Sequence, residues 1–362
     1  MFGTVRTIWA LMVVVGHIFW VNDFGRFAVF GFYVLSGFLM TYVMQKNYGY
    51  AHTSKIKFAL NRFLRLFPAY WLACTISILL ILILGSSEDG KYAIMTIPDT
   101  TLSILANITL IFPHWMPSQI EPRLSPATWA LTVELFFYTA IALGASKTLY
   151  RTYVWIAISV LFILFTYILN LYWHARYFSI PAGSLPFSLG ALIFFLVKEN
   201  KTKFIPKVLI SSPFFLFSAM FAIAIFVSIA ITKGLPLWAM EVLFYCSMFF
   251  SFFLVLSLAM GKPFLSFIST ALDKKFGDFS YPFYLLHYQA AAIASYLMYD
   301  QISIFKGNTT LFAMLATFII LLLLSYVAIK WVDTPVEKLR RRIKNIKSEK
   351  SQNTNLSSSE NK

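Results

Sequence analysis

Long apolar runs separated by short polar segments pattern the chain almost from end to end. Ten of these runs are each roughly 20 residues or slightly fewer, the length at which a helix crosses a ~30 Å hydrocarbon core. They fall at residues 4–23, 27–45, 66–84, 127–146, 153–171, 183–197, 208–231, 237–260, 280–299 and 309–330. Helices are expected throughout, because backbone polar groups in lipid must be satisfied within the segment that carries them. The first run is too long for a cleavable signal and has no small-residue cleavage site before Asp23, so it reads as a retained span. Residues 85–126 form the longest connection, and its middle, TLSILANITLIF, is apolar but too short to span. That segment is expected to be re-entrant or interfacial and able to roof a site. Residues 344–362 are polar and of low complexity, which predicts a disordered tail after one membrane domain at 1–343.

Composition sharpens the picture. Of the 362 residues, 59% are hydrophobic and 12% charged, too little polar surface to cover a soluble globule. The expectation is an all-α, polytopic integral membrane protein with about ten transmembrane helices. Its formal charge of +15 is unevenly spread. With both termini cytoplasmic, 24 of the 30 Lys and Arg residues fall in inner segments. Only Arg26, Lys91, Arg123, Arg176, Lys233 and Lys306 fall in outer ones, as positive-inside bias requires. The charge therefore reflects topology and attraction to anionic membrane lipids, with no nucleic-acid partner implied. Cys74 and Cys246 both lie in apolar runs and read as small buried hydrophobes, not as a disulfide framework. The glycosylation sequons at Asn107 and Asn308 read as chance matches.

Chemistry is concentrated in a few polar residues inside the apolar runs, where ionisable groups are costly and mark functional sites. Arg6 opens, and His17 interrupts, the uncharged run at 7–22, and His17 lies about 16 Å along the helix from Arg6. Glu134 lies about 12 Å into the fourth span from its expected outer start near Pro126. The matched depths predict that Glu134 orients His17 for taking a proton from a hydroxyl. The competing reading of each is an interhelical hydrogen bond. Arg62 and Arg65 sit three apart on one helical face just before the third span, with Pro68 as its start and Tyr70 and Trp71 at the interface. With Arg6 they make a cationic mouth that suits either a phosphate-bearing donor or plain positive-inside anchoring. No HxxxH or CxxC spacing supports a metal site from His17, Glu134 and His287, so no metal is expected. Trp115, Tyr172, Trp173 and Trp238 could stack on sugar rings or anchor the interface.

Six segments, in order, resemble the motifs of the membrane acyltransferase-3 family. VRTIWALMVVVGH is similar to its Arg-x10-His motif, FYVLSGF at 32–38 to its FFxLSGF, and RFLRLFPAYW to its basic segment after the second span. WALTVELFFY at 129–138 resembles its WSLxxExxFY, SYPFYLLH at 280–287 its SYxxYLxH, and VDTPVE at 332–337 its acidic-Pro ending. The resemblance runs along the whole chain and implies an enzyme of the bacterial inner or plasma membrane. Such an acyltransferase moves an acyl group, usually acetyl, from cytoplasmic acyl-CoA to a hydroxyl of a cell-envelope or exported glycan or lipid-linked sugar. Acyl-CoA would be a donor substrate, with no cofactor bound permanently. The resemblance also implies His17 as the catalytic histidine, base or acyl acceptor, with Glu134 beside it and Arg6, Arg62 and Arg65 as donor-binding cations. Ser36 and Tyr281 are candidates for oxyanion support, and His287 lies on the donor's path or serves packing. Two positions depart from the pattern: Phe30 stands where many members have Asp, and Ala130 where Ser is usual. The competing class is a glycan or lipid transporter with a proton-relay His/Glu pair, against which stands the lack of an inverted hydropathy repeat. A non-catalytic assembly subunit would not need His17 and Glu134 at one depth.

Overall fold

The computed structural model describes residues 2–19, 21, 23–85, 95–121, 123–210, 212–299 and 311–341. Lys91, Lys306, the Asn308 sequon and the 344–362 tail lie outside the described residues. Among the described residues the chain is helical without strands: α1 (Gly3–Ile18), α2 (Phe24–Val43), α3 (His52–Leu84), α4 (Thr101–Thr109), α5 (Trp129–Leu143) and α6 (Leu149–Ile168) are followed by α7 (Trp173–Tyr177), α8 (Ser184–Lys198), α9 (Pro213–Thr232), α10 (Leu237–Ala259), α11 (Thr270–Tyr299) and α12 (Leu311–Ala328). Among the described residues eight helical stretches are long and apolar enough to cross a membrane: Phe24–Tyr48, His52–Leu84, Pro126–Leu143, Leu149–Ile168, Pro181–Lys198, Pro213–Thr232, Leu237–Ala259 and Leu311–Arg341. The other two expected spans differ from these. Helix α1 has 16 residues, and α11 opens on a turn bearing Asp273, Lys274 and Lys275.

Helices α1 and α2 form the centre of the bundle, α1 against α11 and α2 against α8. The α1–α11 pair runs parallel in a fixed register. Phe2 cannot cap α1, and Asp273 does so from the neighbouring helix: its carboxylate accepts from Gly3 N at 3.0 Å, Thr4 N at 2.9 Å and Thr4 Oγ1 at 2.8 Å. One turn on, Thr7 Oγ1 donates to Phe276 O at 2.5 Å. Gly3 and Gly277 allow this approach, since a Cβ on Gly3 would meet Asp273 O at 1.7 Å. The α2–α8 crossing is equally close, because a Cβ on Gly37 would meet Phe187 O at 2.1 Å. On the outside, α6, α9 and α12 expose Ile158, Leu161, Phe215, Phe226, Leu315 and Ile319, surface that lipid and not water would cover.

Several boundaries differ from those read in the sequence. Helix α3 begins at His52, well before residue 66, and carries Pro68 in its interior. No glycine or proline interrupts residues 52–67, and that continuity, with packing on both sides, outweighs the roughly 3 kcal/mol cost of an internal proline. Helix α11 likewise starts ten residues before Ser280, with Pro282 inside it, so Ser280 and Tyr281 are not at its end. Tyr70 is fully buried beneath α4, donating to Asn107 O at 2.6 Å, and is not an interfacial anchor. Helix α4 is the apolar middle of the long connection, started by a Thr100/Ser103 capping box. Cys74 is buried as expected, but Cys246 faces outward from α10.

Helix α7 is too short to hold itself and is pinned by a buried ion pair. Arg176 Nη2 and Nε donate to the two oxygens of Glu241 at 2.8 and 3.0 Å, Nη1 donates to Leu171 O at 2.8 Å, and the guanidinium lies 4.1 Å from the Tyr167 ring centroid. Removing one partner strands the other charge in the interior, so Arg176→Met or Glu241→Met alone is expected to destabilise by about 3–5 kcal/mol. The double variant should lose less than either single one. Thermal unfolding of the detergent-solubilised protein, read as a double-mutant cycle, checks this; additive losses would show that the pair is not coupled.

Candidate active site

Two groups of polar residues lie in the interior of the bundle, beside separate cavities. The first surrounds a cavity of about 160 Å³ lined by Arg6 from α1, Ser36 from α2, Arg62 and Arg65 from α3, and Glu134 and Tyr138 from α5. Ser36 Oγ donates to Glu134 Oε1 at 3.0 Å and Tyr138 OH to Oε2 at 2.8 Å, which fixes the carboxylate across the α2–α5 contact. Arg62 Nη2 donates to Asn61 Oδ1 at 2.6 Å, an oxygen that also accepts from Arg340 Nη2 at 3.0 Å. Arg62 Nε is buried with no partner among the described residues. Arg65 lies 5.8 Å from the Tyr281 ring centroid, and Tyr281 OH donates to Leu66 O at 2.8 Å, tying α11 to α3 beside the cavity.

The second group is a histidine pair. The α1–α11 register that sets Gly3 beside Asp273 also sets His17 beside His287, each 14 residues further along its helix. At 1.5 Å per residue both rise by about 21 Å, so the rings meet: His17 Nδ1 and His287 Nε2 are 3.0 Å apart. The tautomers follow from the far end of the chain of contacts. His287 Nδ1 faces Tyr284 O at 2.9 Å and Phe283 O at 3.3 Å, and carbonyls only accept, so Nδ1 carries the hydrogen. Neutral His287 then offers a bare Nε2, which accepts from His17 Nδ1–H. His17 is left with an unprotonated Nε2, the form a base or nucleophile requires. His287 is fully buried, whereas His17 is partly accessible and lines two further cavities.

Those cavities, of about 490 and 320 Å³, share His17, Ala127, Trp129 and Phe178. The larger adds Tyr177, Gly25 and an Asp23–Arg26 ion pair whose guanidinium lies 5.2 Å from the Tyr177 ring centroid. The smaller is walled by Ser118, Gln119 and Arg123 from the end of the long connection, whereas the apolar middle expected to roof a site lines none of the three cavities. Arg123 is held by donation from Nη1 to Ser118 O at 2.7 Å and Ile120 O at 3.1 Å.

Glu134 does not orient His17. Its hydrogen bonds go to Ser36 and Tyr138, and it lines the basic cavity, while His17 lines the other two. The depth match failed because α5 starts inside the bundle and not at its surface: Ala127 O, just before the helix, accepts from Tyr284 OH, three residues short of His287. Trp129 is thus at the level of the histidines, and Glu134 is about 8 Å further down the helix, toward Arg6. Of the residues proposed from sequence, Arg6, Arg62, Arg65, Ser36, Glu134 and Tyr281 come together in one cavity, and His17 lines the adjoining one with His287 buried behind it. Trp173 is buried against Tyr177 and Phe244, while Trp115, Tyr172 and Trp238 are exposed; none of the four lines a cavity described here. The aromatic walls are Trp129, Tyr177, Phe178 and Tyr284, of which Trp129 and Tyr284 lay in segments that stood out in the sequence. Among the described residues no three His, Cys, Asp or Glu side chains are grouped to hold a metal ion.

The family model of an acyltransferase domain matches residues 3–330 of this chain, which takes in all three cavities and the histidine pair. No curated protein and no solved structure matches it.

Proposed function

We propose, from the premise that this chain belongs to the acyltransferase-3 family, that it moves an acyl group from acyl-CoA to a hydroxyl acceptor across the adjoining cavities described above. The donor's phosphates would lie with Arg6, Arg62 and Arg65, on the cytoplasmic side by the distribution of Lys and Arg, and the acceptor among Trp129, Tyr177 and Phe178 on the other side. The observation that carries this reading is the chain of hydrogen bonds from Tyr284 O through His287 to His17, which leaves His17 Nε2 bare beside the acceptor's cavity. The acceptor oxygen attacks the thioester carbonyl, its proton passes to Nε2, and a C–O bond forms as the C–S bond breaks. The proton then leaves with the CoA thiolate as a thiol. His287 accepts the Nδ1 hydrogen throughout, so the imidazolium formed on His17 keeps its orientation. A glycan or lipid-linked sugar of the cell envelope fits the acceptor side, where aromatic faces and polar loop groups meet, and acetyl is the expected group.

The experiment is direct. The purified full-length protein in lipid nanodiscs, given acetyl-CoA and envelope glycan extract, is expected to release free CoA with time and to leave acetylated glycan visible by mass spectrometry. CoA release no faster than with empty nanodiscs would overturn the assignment.

A further inference from the structure

Val29, Ala130 and Tyr284 line both the basic cavity and the larger cavity that holds His17, so these three side chains form the wall between them. All are close to fully buried, at 8%, 6% and 9% exposure. The wall is braced on two sides. Tyr284 OH donates to Ala127 O, which keeps the ring from swinging away, and Tyr33 OH donates to Ala130 O at 3.3 Å, which holds the first turn of α5 against α2. The contact surface is made of methyl groups and an aromatic ring, and its single hydroxyl is already committed.

We infer that Val29, Ala130 and Tyr284 are the acyl selector of this enzyme, admitting a short, uncharged acyl group from the donor cavity to His17 and rejecting longer or charged ones. The inference rests on the acyl-transfer reading above. A thioester whose CoA is held by Arg62 and Arg65 must bring its carbonyl to this wall to reach the hydroxyl that His17 serves. Acetyl places one methyl there. Each further methylene must displace buried atoms of a braced wall, and one methylene in a pocket of this kind is worth about tenfold or more in kcat/KM. The terminal carboxylate of a succinyl group would lose water and find no free donor on the wall. Ala130, standing where the family motif has serine, removes the hydroxyl that could have served.

The test compares kcat/KM for acetyl-, butyryl- and succinyl-CoA, by CoA release from the full-length protein in nanodiscs with envelope glycan extract as acceptor. The unaltered protein should favour acetyl over butyryl by about tenfold or more, with succinyl lower still. Val29→Ala should raise the butyryl-to-acetyl ratio by about tenfold. Ala130→Ser changes one atom, so it should fold where Val29→Ala does not, and it should raise the succinyl-to-acetyl ratio. Unchanged ratios in both variants, or in Ala130→Ser if Val29→Ala is not monodisperse, would overturn the selector. An unaltered protein using butyryl as well as acetyl would also overturn it while acyl transfer stands. Release from none of the donors would overturn the acyl-transfer reading and the selector with it.

Discussion

Replacing His17 by alanine is expected to lower acyl transfer by about a thousandfold or more, since the base that takes the acceptor's proton contributes roughly 10²–10⁴ and its removal also empties the reacting corner of the cavity. The substitution makes α1 more apolar and leaves the Asp273 cap and the Thr7 bond in place, so insertion and folding should survive. His287 acts one step back. His287→Leu removes the acceptor that selects the His17 tautomer, and a loss of about 10–100-fold in kcat with little change in donor KM is expected. His287→Gln restores a side-chain acceptor and should recover part of that loss, a rescue that a packing role alone would not give. Steady-state kinetics of the three variants in nanodiscs checks this. Near-normal transfer by His17→Ala would remove the histidine from the chemistry.

The helical character, the basic cluster and the choice of His17, His287 and Glu134 as candidates were legible in the sequence because each depends on local pattern: apolar length, cation placement, and an ionisable group within an apolar run. Partnerships were not, because they depend on where helices begin in depth. The ninth run was read as starting at residue 280, but α11 starts at Thr270, and the level of His287 follows from Asp273 capping α1. Glu134 was measured from a supposed membrane surface near Pro126, whereas that residue lies beneath the long connection, at the level of Tyr284. Arg62 and Arg65 lie on α3, which begins at His52, and line the cavity with Arg6, a convergence that spacing alone does not show. The aromatic lining from Tyr177 and Phe178 had no signal of its own. It depends on the Arg176–Glu241 pair that fixes α7, and the pairing of two residues 65 apart cannot be read from spacing.

Replacing Arg62 and Arg65 together by glutamine is expected to raise the KM for acetyl-CoA by about a hundredfold, because each charge-assisted bond to phosphate is worth about 1.5–3 kcal/mol. The turnover number should fall much less, since these side chains would hold a part of the donor that does not react and is bound equally in ground and transition states. Arg62 is prepared for that role: Asn61 Oδ1 orients its Nη2, Met40 Sδ receives Nη1 at 3.5 Å, and Nε remains buried without a partner among the described residues. Guanidinium–phosphate attraction is screened by salt, so the KM of the unaltered protein should rise with ionic strength and that of the double variant should rise less. The same cations set the side from which the donor approaches. If they face the cytoplasm, inside-out vesicles should consume added acetyl-CoA and right-side-out vesicles should not, because the nucleotide is too highly charged to cross lipid. Consumption only by right-side-out vesicles would reverse the orientation. A double variant that lost turnover at saturating donor while keeping its KM would move the arginines from holding the donor to the chemistry itself.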